Sequence, residues 1–297
     1  MKPHFELRRI RDFGEIISDS FDFFKHNIKA LVKPLIVITG FFLLITVIAH
    51  IMMQMNTITV MEGIRSGDPS ASQNSVVDIY KGMGYYYAGV LPLILGVYLV
   101  TYSYMAISLE KKDGNKPTLE EVWGYFKYYF LRSAGAFIIT VILCVVGTVL
   151  CLLPGIYLGV VLSLLLPVIV FENGSFSYAF GKSFKLISGN WWLTFGVILV
   201  MVMVVGFSGS IASIPIALIT SFNTFLNIDT AIVYPLIALL STLMHAIILI
   251  GYSLVAVAVA LCYFSFTEQK DGTSLLQRID QLGKQGDDNS NLPTEQY

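Results

Sequence analysis

A few polar residues interrupt an otherwise apolar chain, and their types and spacing suggest limited kinds of chemistry. Glu172 ends an uncharged run, Ile156–Phe171, and precedes Lys182 and Lys185. A carboxylate there can pair with an ammonium and pin a surface helix to the end of the run, or it can touch a ligand or lipid headgroup. Pro167 lies inside the same run, where it frees a backbone carbonyl and predicts a kink; broken helices also mark transport sites. Pro154-Gly155 opens the stretch as a turn. Gly155 and Gly159 are spaced for close helix packing, within this chain or between two copies. His245 sits in the apolar run Ala231–Phe266 and, counted from Ala231, falls near mid-depth, where an ionisable group is a functional hypothesis by default. The sequence places no Asp, Glu, Lys or Arg at that depth, so a proton relay would lack a second member. A neutral packing histidine is therefore expected, hydrogen-bonded by Ser241, Thr242 or the small residues of the preceding run. His50 falls near the outer end of the first run and reads as interfacial.

Other signatures are missing. The sequence holds no G-x-S-x-G, no H-E-x-x-H, no phosphate-binding glycine loop and no carboxylate pair spaced for acid–base work. Cys144, Cys151 and Cys262 lie in apolar runs without metal-ligand spacing and read as packing residues. Asn173-Gly174-Ser175 reads as a turn rather than a glycosylation site. Neither a cofactor nor a metal is expected. The expected partners are the lipid bilayer and a protein partner or second copy of the chain; nucleic acid is not among them.

The elements that must position these residues belong to a membrane. Of 297 residues, 55% are hydrophobic and only 13% charged, with mean hydropathy +0.71, whereas a soluble domain carries about 25% charge. Six spans are expected, over about 31–54, 88–109, 131–153, 156–171, 193–220 and 231–266. Three amphipathic stripes predict interfacial helices: 13–28, with Phe13, Ile16, Ile17, Phe21, Phe24 and Ile28; 119–130, behind a Thr118–Glu121 capping box; and 176–187, behind Ser175 as N-cap. Residues 55–86 read as a long polar loop. The first thirty residues form the N-terminal helix, 31–266 the membrane domain, and 267–297 a tail with a short amphipathic piece and a polar end. No cleavable leader is expected.

With the N-terminus cytoplasmic, every Lys and Arg except Arg65 and Lys81 falls on the cytoplasmic side, which predicts an inner-membrane protein with both termini inside. SFDFFKHNI, GYFKYYFLR and SFKLISGNW each precede a pair of spans. They suggest three parallel units, each a cytoplasmic helix followed by a hairpin; the alternative is that any helix approaching a membrane gathers aromatics and lysines.

The run PGIYL, the exit LLLPVIVFE, the helix A-x-x-x-S-F-x-L-I and the following N-W-W resemble the membrane domain of glycerophosphoryl diester phosphodiesterases and related uncharacterised six-helix bacterial membrane proteins. The resemblance implies architecture and inner-membrane residence. It does not imply the hydrolase activity, which in those enzymes belongs to a soluble barrel with no counterpart here. The expected function is a non-enzymatic, membrane-embedded scaffold or regulator; the alternative is a transporter or channel for a small solute or lipid.

Overall fold

The computed structural model describes residues 6–66, 69–111, 115–226 and 230–272. Among them the chain is all-helical: α1 (Phe13–Ser66), α2 (Pro69–Glu110), α3 (Leu119–Leu150), α4 (Leu152–Leu162), α5 (Leu165–Glu172), α6 (Phe176–Ile187), α7 (Trp191–Leu226) and α8 (Thr230–Asp271). Six stretches are long and apolar enough to cross a membrane, α4 and α5 together counting as one. The tail stripe at Leu275–Leu282 and the polar C-terminal end lie outside the described residues.

α2 and α8 form the centre. Tyr102, Tyr104, Met105, Leu99, Ala256, Ala258, Ala260 and Leu261 are fully enclosed. α3 is the opposite case: Leu131, Ile138, Ile142, Val145, Val149 and Leu150 face outward. An apolar stripe of that length is tolerable only against lipid or another protein.

α1 and α2 approach closely because glycines recur every seventh residue on α2. A methyl group at Gly96 would lie 3.1 Å from Thr39 Cγ2, one at Gly89 would lie 3.1 Å from Thr46 Cα, and one at Gly82 would lie 3.5 Å from Met53 Cα. The threonines meet the glycines without exposing a polar group, since Thr39 and Thr46 donate to the carbonyls of Leu35 and Phe42 in their own helix. Small residues so placed let two backbones pack without a clash.

Several sequence expectations are corrected. Residues 55–86 are not a loop, because α1 continues to Ser66 and α2 begins at Pro69. The stripes at 13–28 and 119–130 are not separate helices; each is the first part of the helix that becomes the span. Only α6 stands alone, between the Asn173 turn (φ 50) and a turn at Ser188–Asn190. The three units therefore do not share one leading-helix arrangement. α3 and α4 join at Cys151, extended at φ −166 and ψ 142, rather than at Pro154-Gly155. The fourth span breaks at Ser163-Leu164. Pro167 explains the break, for it has no N–H to offer the Ser163 carbonyl and its ring crowds that position.

Candidate functional site

Polar side chains gather into two layers, one at helix ends and one within the bundle. At one end Tyr104 donates to Asn27, Lys116 to the His26 carbonyl, Arg132 to Asn173 and Asn190 to Gln269. The segment before α1 joins this layer through Arg11, whose side chain is 1% exposed and lies 2.7 Å from Asp19. Its backbone N–H donates to Ser265 on α8 at 3.0 Å.

Glu172 is the centre of this layer. As the last residue of α5 it accepts from Tyr263 of α8 at 2.6 Å and from Tyr178 of α6 at 2.7 Å. Its carboxylate also pairs with Lys182 of α6 at 2.9 Å. One carboxylate thus ties three helices together. Both partners of the ion pair are only 17–20% exposed, a partly desolvated setting where the pairing is worth more than at an open surface. The Tyr178 hydroxyl is held above its usual pKa, chiefly by the hydrogen bond it gives Glu172. Burial is the largest influence on Lys182 and pulls its pKa down, but the hydrogen bond and charge of Glu172, with Tyr178, outweigh burial and leave it raised. Lys182 also lies 3.7 Å from Asp271. Lys185 is exposed one turn further on and meets no carboxylate among the described residues; its carbonyl accepts from Lys270.

Pro154 occupies the first turn of α4, where a missing N–H is not needed by the helix. Gly155 packs within this chain: a methyl group there would lie 2.7 Å from Thr148 N and 2.8 Å from Thr148 Cα. Gly159 is looser, its nearest neighbour being Cys144 Sγ at 4.0 Å.

The second layer is built around His245. From Tyr263, beside Glu172, His245 lies about 27 Å along α8, close to a full hydrocarbon thickness. α8 runs on for about 15 residues beyond it to Thr230, and α1 and α2 likewise extend past this level, to Ser66 and from Pro69, so the layer lies within the bundle and not at its end. His245 also has a second histidine beside it. His50 is buried, and its ring stacks on His245 with centroids 4.9 Å apart and planes 4° from parallel. His50 Nδ1 shares a hydrogen bond with Thr242 Oγ1 at 2.9 Å, and His245 Nε2 shares one with the Tyr86 hydroxyl. Gln54 donates to Ser241 at 3.3 Å. α1, α2 and α8 are thereby joined by side-chain bonds at a level where their backbones offer none. Parallel ring planes direct their nitrogen lone pairs side by side, so the pair is not arranged to share one metal ion. Nothing local in the chain signals this pairing, because His50 and Thr242 are 192 residues apart.

Substitution separates packing from hydrogen bonding here. His245→Leu should leave the half-buried Tyr86 hydroxyl without its partner and lower stability by about 1–3 kcal/mol, while His245→Gln, which keeps a donor and an acceptor, should lose less. Thermal unfolding in detergent, run as a double-mutant cycle with Tyr86→Phe, measures the bond directly. Additive losses would show that the bond contributes nothing.

Two cavities bear on function. One, about 440 Å³, opens on the flank between α3, α4, α7 and α8 and is lined by Phe137, Ile156, Phe195, Ile198, Val202 and Val259 among others, without a charged residue. The other, about 400 Å³, is a polar cleft between α6 and the end of α8, lined by Tyr178, Lys182, Lys185, Lys270 and Asp271 with Ser177, Gly181 and Leu186. No protein-family model, no curated protein and no solved structure matches the chain.

Proposed function

We propose that the chain is a multi-pass protein of the cytoplasmic membrane, both ends inside, acting as a non-enzymatic scaffold or regulator that organises lipid or a partner protein. One observation carries the choice of scaffold over passage. Between the two polar layers, α2 and α8 are packed mainly by enclosed apolar side chains; the buried hydroxyls among them, Tyr102, Ser103 and Ser253, line neither cavity described, and the larger of those cavities lies on the flank with an apolar lining. A solute path needs polar groups to replace water along its length. The Glu172 layer holds basic residues of α3, α6 and α8 together with Arg11, which supports its placement on the cytoplasmic side.

The test joins topology to transport. Cysteines at Ser72 and Ser290 in intact cells should react with a membrane-impermeant reagent at Ser72 only; labelling at Ser290 alone would reverse the orientation. Purified protein in liposomes should show no solute flux, and protein drawn from native membrane should bring a defined partner or lipid with it. The second reading, a transporter, has the stacked His50–His245 pair in its favour. A His245→Gln protein that folds normally yet abolishes a pH-dependent flux would put that reading first.

A further inference from the structure

We propose that the polar cleft between α6 and the end of α8 binds the phosphate of an anionic membrane phospholipid, with an acyl chain lying in the apolar flank groove. The inference rests on the membrane reading above and adds a ligand to it.

The cleft is built by one face of α6. Ser177, Tyr178, Lys182 and Lys185 line it along that helix, and Lys270 and Asp271 close it from α8. Gly181 lies in the middle of the same face, and a methyl group there would meet nothing within 4 Å, so the floor is open. Three ammoniums gather here against two carboxylates, since Lys182 is shared between Glu172 and Asp271. Lys270 is spent on backbone, donating to the carbonyls of Lys185 and Ser188, so its charge is not neutralised by an acid. The Lys185 ammonium meets no partner among the described residues. The cleft is therefore short of negative charge and rich in donors, the state a phosphate diester completes.

The surroundings point to a lipid rather than a free anion. Trp191 and Trp192 follow α6 directly, and Trp192 is 77% exposed, as at a water–lipid boundary. Phe176, Phe180 and Phe184 form a half-buried ladder along α6, with successive centroids 5.8 and 5.0 Å apart. The apolar groove begins on the first turns of α7, at Phe195, and reaches Val259 on α8. From Lys270 that is about 16 Å along the helix, the depth of one leaflet of a core about 30 Å thick. Basic pockets between spans on the cytoplasmic side suit anionic headgroups.

The experiment uses the full chain in neutral detergent, with thermal shift and native mass spectrometry read for phosphatidylglycerol, phosphatidylcholine and inorganic phosphate. Phosphatidylglycerol should raise the melting temperature and remain bound, phosphatidylcholine and inorganic phosphate should not, and added salt should weaken the effect. Lys185→Gln should cost about 5-fold in phosphatidylglycerol affinity and Lys185→Glu about 25-fold, at about 1 kcal/mol per charge near the surface. Because that ammonium meets no partner among the described residues, the lipid-free melting temperature should not move. Gly181→Leu, which fills the open floor, should block binding by a route independent of charge. Equal binding of the two lipids, or full affinity in both Lys185→Glu and Gly181→Leu, would overturn the proposal. An equal response to inorganic phosphate would make this a site for a free anion and overturn the lipid assignment. Recovery of the chain in the soluble fraction would sink the membrane reading instead, which keeps the two failures distinct.

Discussion

Gly155→Val should abolish the folded protein, and Gly155→Ala should lower its stability by about 2–3 kcal/mol. Alanine in place of glycine inside a helix ordinarily gains up to about 1 kcal/mol. Here that gain is outweighed, because the added methyl would sit 2.7 Å from the Thr148 nitrogen and 2.8 Å from its Cα. Both atoms belong to the backbone of α3 and cannot rotate away. α3 and α4 are joined through Cys151 alone, so the hairpin has no slack in which to separate. Thr148→Ala should fail to rescue Gly155→Ala, since it removes the hydroxyl and leaves the backbone contact. Gly159→Ala is the control: its nearest neighbour is 4.0 Å away, and the change should be neutral or slightly stabilising. Melting temperatures of the three variants in one detergent decide the matter, and equal values for Gly155→Ala and Gly159→Ala would show that the close approach is not needed.

Removing Glu172 should have the next largest effect. Glu172→Ala takes the acceptor from Tyr178 and Tyr263 and the counter-charge from Lys182. Breaking one side of a fully buried pair costs about 3–5 kcal/mol; residual exposure of this one brings the expected loss to about 2–3 kcal/mol. Glu172→Leu with Lys182→Met should recover part of it, by removing the stranded charge while leaving the two tyrosine hydroxyls without their acceptor. The pH dependence has a definite sign. Lys182 has a folded pKa above its ordinary 10.5, so its stabilisation is complete below 10.5 and is lost only as pH rises through the higher folded value. The difference in stability between the native chain and Lys182→Gln should therefore stay constant from pH 7 to 10 and shrink above that. A difference that shrinks between pH 7 and 9 would show that the lysine is not held by Glu172.

Much of the local structure was legible from residues close together in the chain. The capping box at Thr118 and Glu121 forms as its spacing requires, and Ser175 caps α6 by accepting from the Tyr178 N–H. Asn173 takes the left-handed turn, a conformation for which its short polar side chain is suited. The apolar runs located six stretches able to cross a membrane. The caps and the turn depend on neighbours within about one helical turn and the apolar runs on continuous stretches of chain, so composition and periodicity carry them.

The partnerships across the bundle were decided by tertiary structure. Glu172 and Lys182 are near in sequence, but Tyr263 reaches the same carboxylate from 91 residues away. His50 and His245 stack, Arg11 meets Ser265, and the sevenfold glycines of α2 find Thr39 and Thr46, all through lateral packing of helices far apart in the chain. In a soluble protein the polar face of each helix would have indicated which side turns inward. This chain has no such contrast: the outward Ile138 and Val145 are as apolar as the enclosed Leu99 and Leu261. Sequence thus determined which segments are helical and apolar enough to span, and only the packed structure decided which faces meet, because hydrophobicity does not distinguish a lipid neighbour from a protein one.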